Sequence, residues 1–166
     1  MYFARVEVSF DAAHRLFGYP GKCAAIHGHT FRAEVVVGAT ELDQLGLTLD
    51  FRHLKAGLKG WIDANWDHAL LLNDRDTGLI DALRGVPECK LYLFSGVNPS
   101  TEVVARELFD FARRQFGSAI RRVRVWETPT QYAEYVPDGE SSLNGHDASV
   151  ARDGAQPEMG RVVTTG

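Results

Sequence analysis

The sequence predicts an α+β domain: two strand pairs, one near the N-terminus and one near residue 130, and two stretches of helical apolar spacing that accompany them. Residues 2–10 alternate, with Ala4, Val6, Val8 and Phe10 on one side and Phe3, Arg5, Glu7 and Ser9 on the other, as in a half-buried strand. A second strand is expected over 29–39, where the run around Val35-Val36-Val37 is β-branched. Residues 47–50 add a short extended piece after the Leu45-Gly46 turn. Asp50 then caps a helix from 51 to about 66, with Phe51, Leu54, Leu58, Trp61 and Ile62 at helical spacing. The segment that follows is rich in turn residues around one short apolar run, Leu91-Tyr92-Leu93-Phe94. Asn98-Pro99-Ser100-Thr101-Glu102 opens a second helix, whose stripe is Val104, Leu108, Phe111, Ala112 and Phe116. Strands over 120–127 and 131–136, joined by Thr128-Pro129-Thr130, close the pattern as a hairpin.

At 166 residues, 45% of them hydrophobic, the chain can form one domain with a sizeable core. Of the formal net charge of −4, five acidic and two basic side chains from Asp138 onward carry −3, so residues 1–137 are nearly neutral. This gives no argument for nucleic-acid binding. The one basic concentration, Arg113, Arg114, Arg121, Arg122 and Arg124, reads as a solvated helix end and strand face paired with nearby acids. Two cysteines are too few for a disulfide framework, and neither a signal core nor a membrane-length stretch is present. The expectation is a cytoplasmic protein with no membrane partner. A single domain is expected over 1–137, followed over 138–166 by a disordered, acidic, Gly-rich tail with too little apolar surface to offset chain ordering.

The chemistry concentrates at His14, in Phe10-Asp11-Ala12-Ala13-His14-Arg15, and at Cys23-Ala24-Ala25-Ile26-His27-Gly28-His29. Residues two apart on a strand point the same way, so His27 and His29 can present both imidazoles to one ion, with His14 as a third ligand. Three imidazoles suit zinc and leave an open fourth position, the pattern of a catalytic site. A His-x-His pair alone is also compatible with ordinary half-buried strand histidines. Cys23 has two readings: a fourth ligand that closes the site, or a nucleophile or base whose pKa is lowered by Lys22.

Asp67-His68, at the end of the first helix, is a candidate carboxylate-imidazole pair or a plain helix end. Glu127 shares a strand face with Val123 and Val125. A carboxylate on an apolar face needs a partner, for which a heterocycle with adjacent N–H donors is suited; the other reading is a strand-end acid in solvent.

Together, Phe10-Asp11-Ala12-Ala13-His14-Arg15-Leu16, Cys23 with His27-Gly28-His29, Asp50-Phe51 with Leu54-Lys55, Asp67-His68 with Asn73, Pro99-Ser100-Thr101-Glu102 and Trp126-Glu127-Thr128 resemble the 6-pyruvoyl-tetrahydropterin synthase and 6-carboxytetrahydropterin synthase family, in family order over about residues 1–137. The resemblance implies the tunnelling fold (T-fold): an antiparallel four-stranded sheet with two helices on one face, with subunits joining into a β-barrel. It implies a homohexamer of two trimers with active sites between subunits. It implies zinc on His14, His27 and His29, catalysis by Cys23, Asp67 and His68, and a pterin held by Glu127 near Ser100, Thr101 and Glu102. The implied reaction converts dihydroneopterin triphosphate to 6-carboxytetrahydropterin, with loss of acetaldehyde and triphosphate, on the route to queuosine. The short spacing between Cys23 and His27 favours this over the pyruvoyl synthase. A non-catalytic pterin- or purine-binding protein is a further alternative. Residues 74–98 are longer than the compact family pattern, and the tail has no counterpart.

Overall fold

The computed structural model describes residues 1–138 and 159–165. The N-terminal alternation runs four residues further than its clearest stretch: β1 spans Tyr2–His14 and pairs antiparallel with β2, His27–Ala39, from Tyr2 opposite Ala39 to His14 opposite His27. Val6, Val8, Phe10 and Ala12 are buried on one face of β1, and Phe31, Ala33, Val35 and Val37 on the same face of β2. Helix α1, Phe51–Asn65, begins where the Asp50 carboxylate accepts the Arg52 N–H, and its Leu54, Leu58 and Ile62 cover that face. Helix α3, Thr101–Phe116, is capped by Ser100 and lies beside it, burying Val104, Ala105, Leu108 and Ala112. The hairpin of β5, Ile120–Thr128, and β6, Gln131–Tyr135, continues the sheet from β2.

Four departures from the sequence reading appear here, three after α1 and one before it. Ala69–Asn73 forms a strand, here β3, parallel to the end of β1. Thr77–Leu83 forms a short helix, α2, and Lys90–Phe94 is β4, parallel to β3. Residues 47–50 form no strand. With a last strand, β7 (Arg161–Thr164), the sheet order is β6-β5-β2-β1-β3-β4-β7, in which the expected antiparallel four-stranded unit is extended on one side. Leu71, Tyr92 and Phe94 join the main core under α1 and α3. Leu72, Leu91 and Leu93 point the other way, into a second cluster with Ile80 of α2.

The expectation of a disordered tail is corrected where it can be followed; residues 139–158, with His146, lie outside the described residues. Strand β7, Arg161–Thr164, pairs antiparallel with β4. Val162 packs on the main core and Val163 on the second cluster. Composition understates this segment because the free edge of β4 supplies its partners. Gly160 N–H donates to the buried Glu107 carboxylate at 2.7 Å, to whose same oxygen Tyr92 O–H donates at 2.6 Å. Burial pushes the Glu107 carboxyl up, against those two hydrogen bonds.

On the sheet face opposite α1 and α3, the arginines of β5 are paired as the charge pattern suggests: Arg122 faces Glu34 and Glu134, and Arg124 bonds Glu134 at 2.9 Å. Among the described residues no helix is long and apolar enough to cross a membrane.

Candidate active site

The β1–β2 register builds the histidine cluster. His14 lies opposite His27, and His29 opposite Ala12, so all three imidazoles project from the core face, beside Phe31. Their ring centroids are 4.5 Å (His14–His27), 5.3 Å (His14–His29) and 5.1 Å (His27–His29) apart. Gly28, between two ligand candidates, packs against β1, where an added Cβ would stand 3.3 Å from the Ala12 carbonyl oxygen.

Backbone carbonyls set the tautomers. His14 Nδ1 is 2.9 Å from Pro99 O and His27 Nδ1 is 2.8 Å from Ala25 O. A carbonyl only accepts, so each Nδ1 carries the proton and each Nε2 presents a lone pair. Burial lowers the His14 pKa, with His27 and His29 acting the same way, against the Pro99 bond and Glu127. His14 is thereby favoured as neutral imidazole, the form that ligates metal.

Glu127 reaches this cluster. It lies at a β5–β6 register shift, on the strand face of the buried Val123 and Val125. Its Oε1 is 2.9 Å from His29 Nε2 and 3.7 Å from His14 Nε2, while Oε2 accepts a short hydrogen bond from Thr101 Oγ1. The solvent-facing reading of Glu127 is thus corrected: it faces the histidine cluster. The Nε2 atoms of His14 and His29 are buried without a hydrogen-bond partner, and one donor atom from each of His14, His27, His29 and Glu127 falls within 4.8 Å of the others. Unpartnered buried nitrogens converging on one point fit a nitrogen-seeking divalent metal such as zinc.

The other sequence candidates sit elsewhere. Cys23 lies half-buried in a 3-10 turn, Lys22–Ala24, and is outside the four-donor group. Its backbone carbonyl accepts Leu16 N–H at 2.8 Å, tying the loop to the end of β1. Ser100 N-caps α3, Thr101 is buried against Glu127, and Glu102 is exposed on the first turn.

Asp67 and His68 follow α1 in a tight turn with His68 at φ 57°. Asp67 accepts from Asp11 N–H at 3.0 Å and lies 2.9 Å from His68 Nδ1, while His68 N–H donates to Asp11 O at 2.7 Å. Burial opposes ionisation of Asp67, but the Asp11 N–H, His68 and Lys59 hold its carboxyl below the usual value. Lys90 of β4 donates to the carbonyls of Asp63 at 2.7 Å and Asp67 at 3.0 Å, bracing this turn.

His68 is exposed and lines an open depression of about 620 Å³ with Asp11, Ala13, Thr30, Cys89 and Lys90, whose wall also includes Gly28 and His29. By strand alternation Asp11, Ala13 and Thr30 face away from His14, His27 and His29. Within one chain, His68 therefore opens toward the face away from the one on which the imidazoles converge, and among the described residues it has no hydrogen bond or ion pair with the histidine cluster.

Several residues support the site through contacts that local sequence did not signal. Arg15 forms a two-point pair with the buried Asp76, at 2.6 and 2.9 Å, which ties the loop after His14 to the start of α2. Asn98 holds Phe17 through both backbone groups at 2.9 Å and accepts from Asn73 at 3.3 Å. Asn98 and Pro99 were legible only as helix-start residues, and Arg15 and Asn73 only as parts of the motifs; the Pro99 carbonyl orients His14.

Fold and site together define a sheet-based α+β enzyme class with a histidine and glutamate group that could hold a metal ion. The family model described as 6-pyruvoyl tetrahydropterin synthase matches residues 4–138, and the chain belongs to that family. Relatives include 6-carboxy-5,6,7,8-tetrahydropterin synthases from Rickettsia typhi, 37% identical over 132 residues (77% of this chain, 95% of the relative), and from Haemophilus influenzae, 32% identical over 143 residues (78% and 94%). In fold, the chain is similar to an uncharacterized Wolinella succinogenes protein, with TM-score 0.69, 20% identity and coverage of 82% and 98%. It is also similar to Caenorhabditis elegans 6-pyruvoyl tetrahydropterin synthase, with TM-score 0.62, 22% identity and coverage of 82% and 96%.

Proposed function

We propose that this chain is a zinc-dependent 6-carboxy-5,6,7,8-tetrahydropterin synthase, converting 7,8-dihydroneopterin triphosphate to 6-carboxytetrahydropterin with release of acetaldehyde and triphosphate, in cytoplasmic queuosine biosynthesis. The observation that carries the reading is the convergence of His14, His27 and His29 on one point with two buried, unpartnered Nε2 atoms. The curated relatives named for the carboxy product, at 32–37% identity, favour it over the pyruvoyl reaction.

Bound zinc would make side-chain hydroxyls of the substrate more acidic and stabilise the charge that develops when a neighbouring proton leaves. Glu127 accepts two hydrogen bonds from the guanidine-like edge of the pterin, with Ser100, Thr101 and Glu102 at that end of the pocket. Cys23 takes a proton from the substrate side chain as thiolate. His68, held by Asp67, moves a proton on the other side.

Because His68 has no hydrogen bond or ion pair with the histidine cluster within one chain, the complete site draws the two halves from neighbouring copies in a homohexamer. The free sheet edges support this assembly: β6 ends the sheet, and β1 before Ala12 pairs only with β2 among the described residues.

The test is incubation of zinc-loaded protein with dihydroneopterin triphosphate and identification of products. Acetaldehyde with 6-carboxytetrahydropterin is expected; the pyruvoyl product would reassign the reaction, and pterin binding without turnover would leave a binding protein.

A further inference from the structure

Glu127 stands where a fourth metal ligand belongs. Donors at about 2.0–2.2 Å from one tetrahedral ion lie about 3.3 Å from one another. Glu127 Oε1 is 2.9 Å from His29 Nε2 and 3.7 Å from His14 Nε2, distances that bracket the edge of such a tetrahedron and exceed a metal–ligand bond, so the oxygen stands at a vertex and leaves the centre free. The 2.9 Å approach makes no hydrogen bond, since His29 Nε2 is buried without a partner. Thr101 Oγ1 occupies the other carboxylate oxygen, which leaves Oε1 alone to ligate. The α3 start that supplies Thr101 also supplies the Pro99 carbonyl to His14, so one backbone segment orients both the carboxylate and an imidazole.

We propose that in the resting protein Glu127 closes the metal site as a fourth, single-oxygen ligand, and that the adjacent N–H donors of a pterin ring compete with the metal for this carboxylate. Ring binding then opens the fourth position, so that it becomes available only when a ring is seated. This rests on the pterin reading above and adds to it a coupling between ring recognition and metal access. A four-coordinate resting centre is also protected from adventitious ligands, because no exchangeable position is open before substrate arrives.

The experiment uses the full chain loaded with Co²⁺ or Zn²⁺, with 6-methylpterin as a probe that has the ring donors and no side-chain hydroxyl. Wild-type cobalt protein is expected to show the intense visible bands of a four-coordinate centre, and 6-methylpterin to shift them. Glu127→Gln should shift the bands without pterin and weaken zinc binding at least tenfold, measured by chelator competition with folding checked by circular dichroism. Glu127→Asp, which keeps the charge and shortens the reach, should weaken zinc to a similar degree. Wild-type spectrum and zinc affinity in Glu127→Gln overturn the proposal, as does wild-type affinity in Glu127→Asp, or 6-methylpterin that binds the wild type without spectral change. Failure is separable from that of the reading beneath it: loss of turnover in Glu127→Gln with an unchanged cobalt spectrum retains ring anchoring and refutes the metal bond, whereas wild-type protein inert toward dihydroneopterin triphosphate refutes the enzyme reading.

Discussion

Gly160→Ala tests whether the C-terminal strand is part of the folded domain. A Cβ at Gly160 would stand 2.7 Å from the Leu93 carbonyl oxygen and closer still to the Tyr92 ring. The carbonyl belongs to β4 and cannot swing away as a flexible side chain could, so the start of β7 must lift. Lifting breaks the Gly160 N–H bond to Glu107 and strains the pairing of Arg161 with Leu93. One hydrogen bond to a buried carboxyl is worth about 1–3 kcal/mol and forced overpacking about 1–3 kcal/mol, so the expected loss is about 2–6 kcal/mol. For a chain of this size that lowers Tm by about 4–24 °C in thermal denaturation followed by circular dichroism. The loss cannot exceed the free energy with which β7 docks, so the chain truncated after Asp138 sets the ceiling, and Gly160→Ala should fall at or below it. A variant melting within about 1 °C of wild type, or a truncated chain as stable as the whole, would refute the docking of β7.

The remaining predictions concern the site and its surroundings. His27→Ala should lose zinc by elemental analysis and lose the Tm increase that added zinc gives wild type, about 4 kcal/mol of stabilisation at a thousandfold excess over Kd; full occupancy would remove His27 from the ligand set. Cys23→Ala should keep zinc and fold but lose turnover, whereas lost zinc would make Cys23 a ligand. Mixing and reassembling Cys23→Ala with His68→Ala should recover up to about a quarter of wild-type activity, because a shared site needs one intact residue from each of two copies; no recovery would place both residues in the same copy's site. Glu107 has a raised folded pKa, foremost from burial, so its contribution to stability is present below the ordinary carboxylate pKa and lost as pH rises through the raised value. Urea denaturation should show the stability of wild type relative to Glu107→Gln falling from acidic to neutral pH, and a constant difference would contradict the raised pKa.

Local patterning was enough for β1, β2, α1, α3 and the β5–β6 hairpin, because each buries one face and so writes its period into the chain. The same period put His27 and His29 on one face and Glu127 beside Val123 and Val125, and the tertiary structure keeps both. Strand β3 escaped because Leu70-Leu71-Leu72 is covered on both sides, by the main core and by the α2 cluster, and a strand buried on both faces shows no alternation. Strand β7 escaped because its four residues have little apolar surface of their own and take their hydrogen bonds from β4, an edge that no local window contains. Asp67 and His68 were legible as a pair, but their placement outside the histidine cluster was not, since it depends on how the turn after α1 bonds Asp11. The sequence by itself determined which residue types could do the chemistry and on which strand face they stand. Only the tertiary structure decided that Pro99 orients His14, that Lys90 braces the Asp67 turn and that Glu127 meets the imidazoles, because each of these contacts joins residues more than twenty positions apart, where no periodicity reaches.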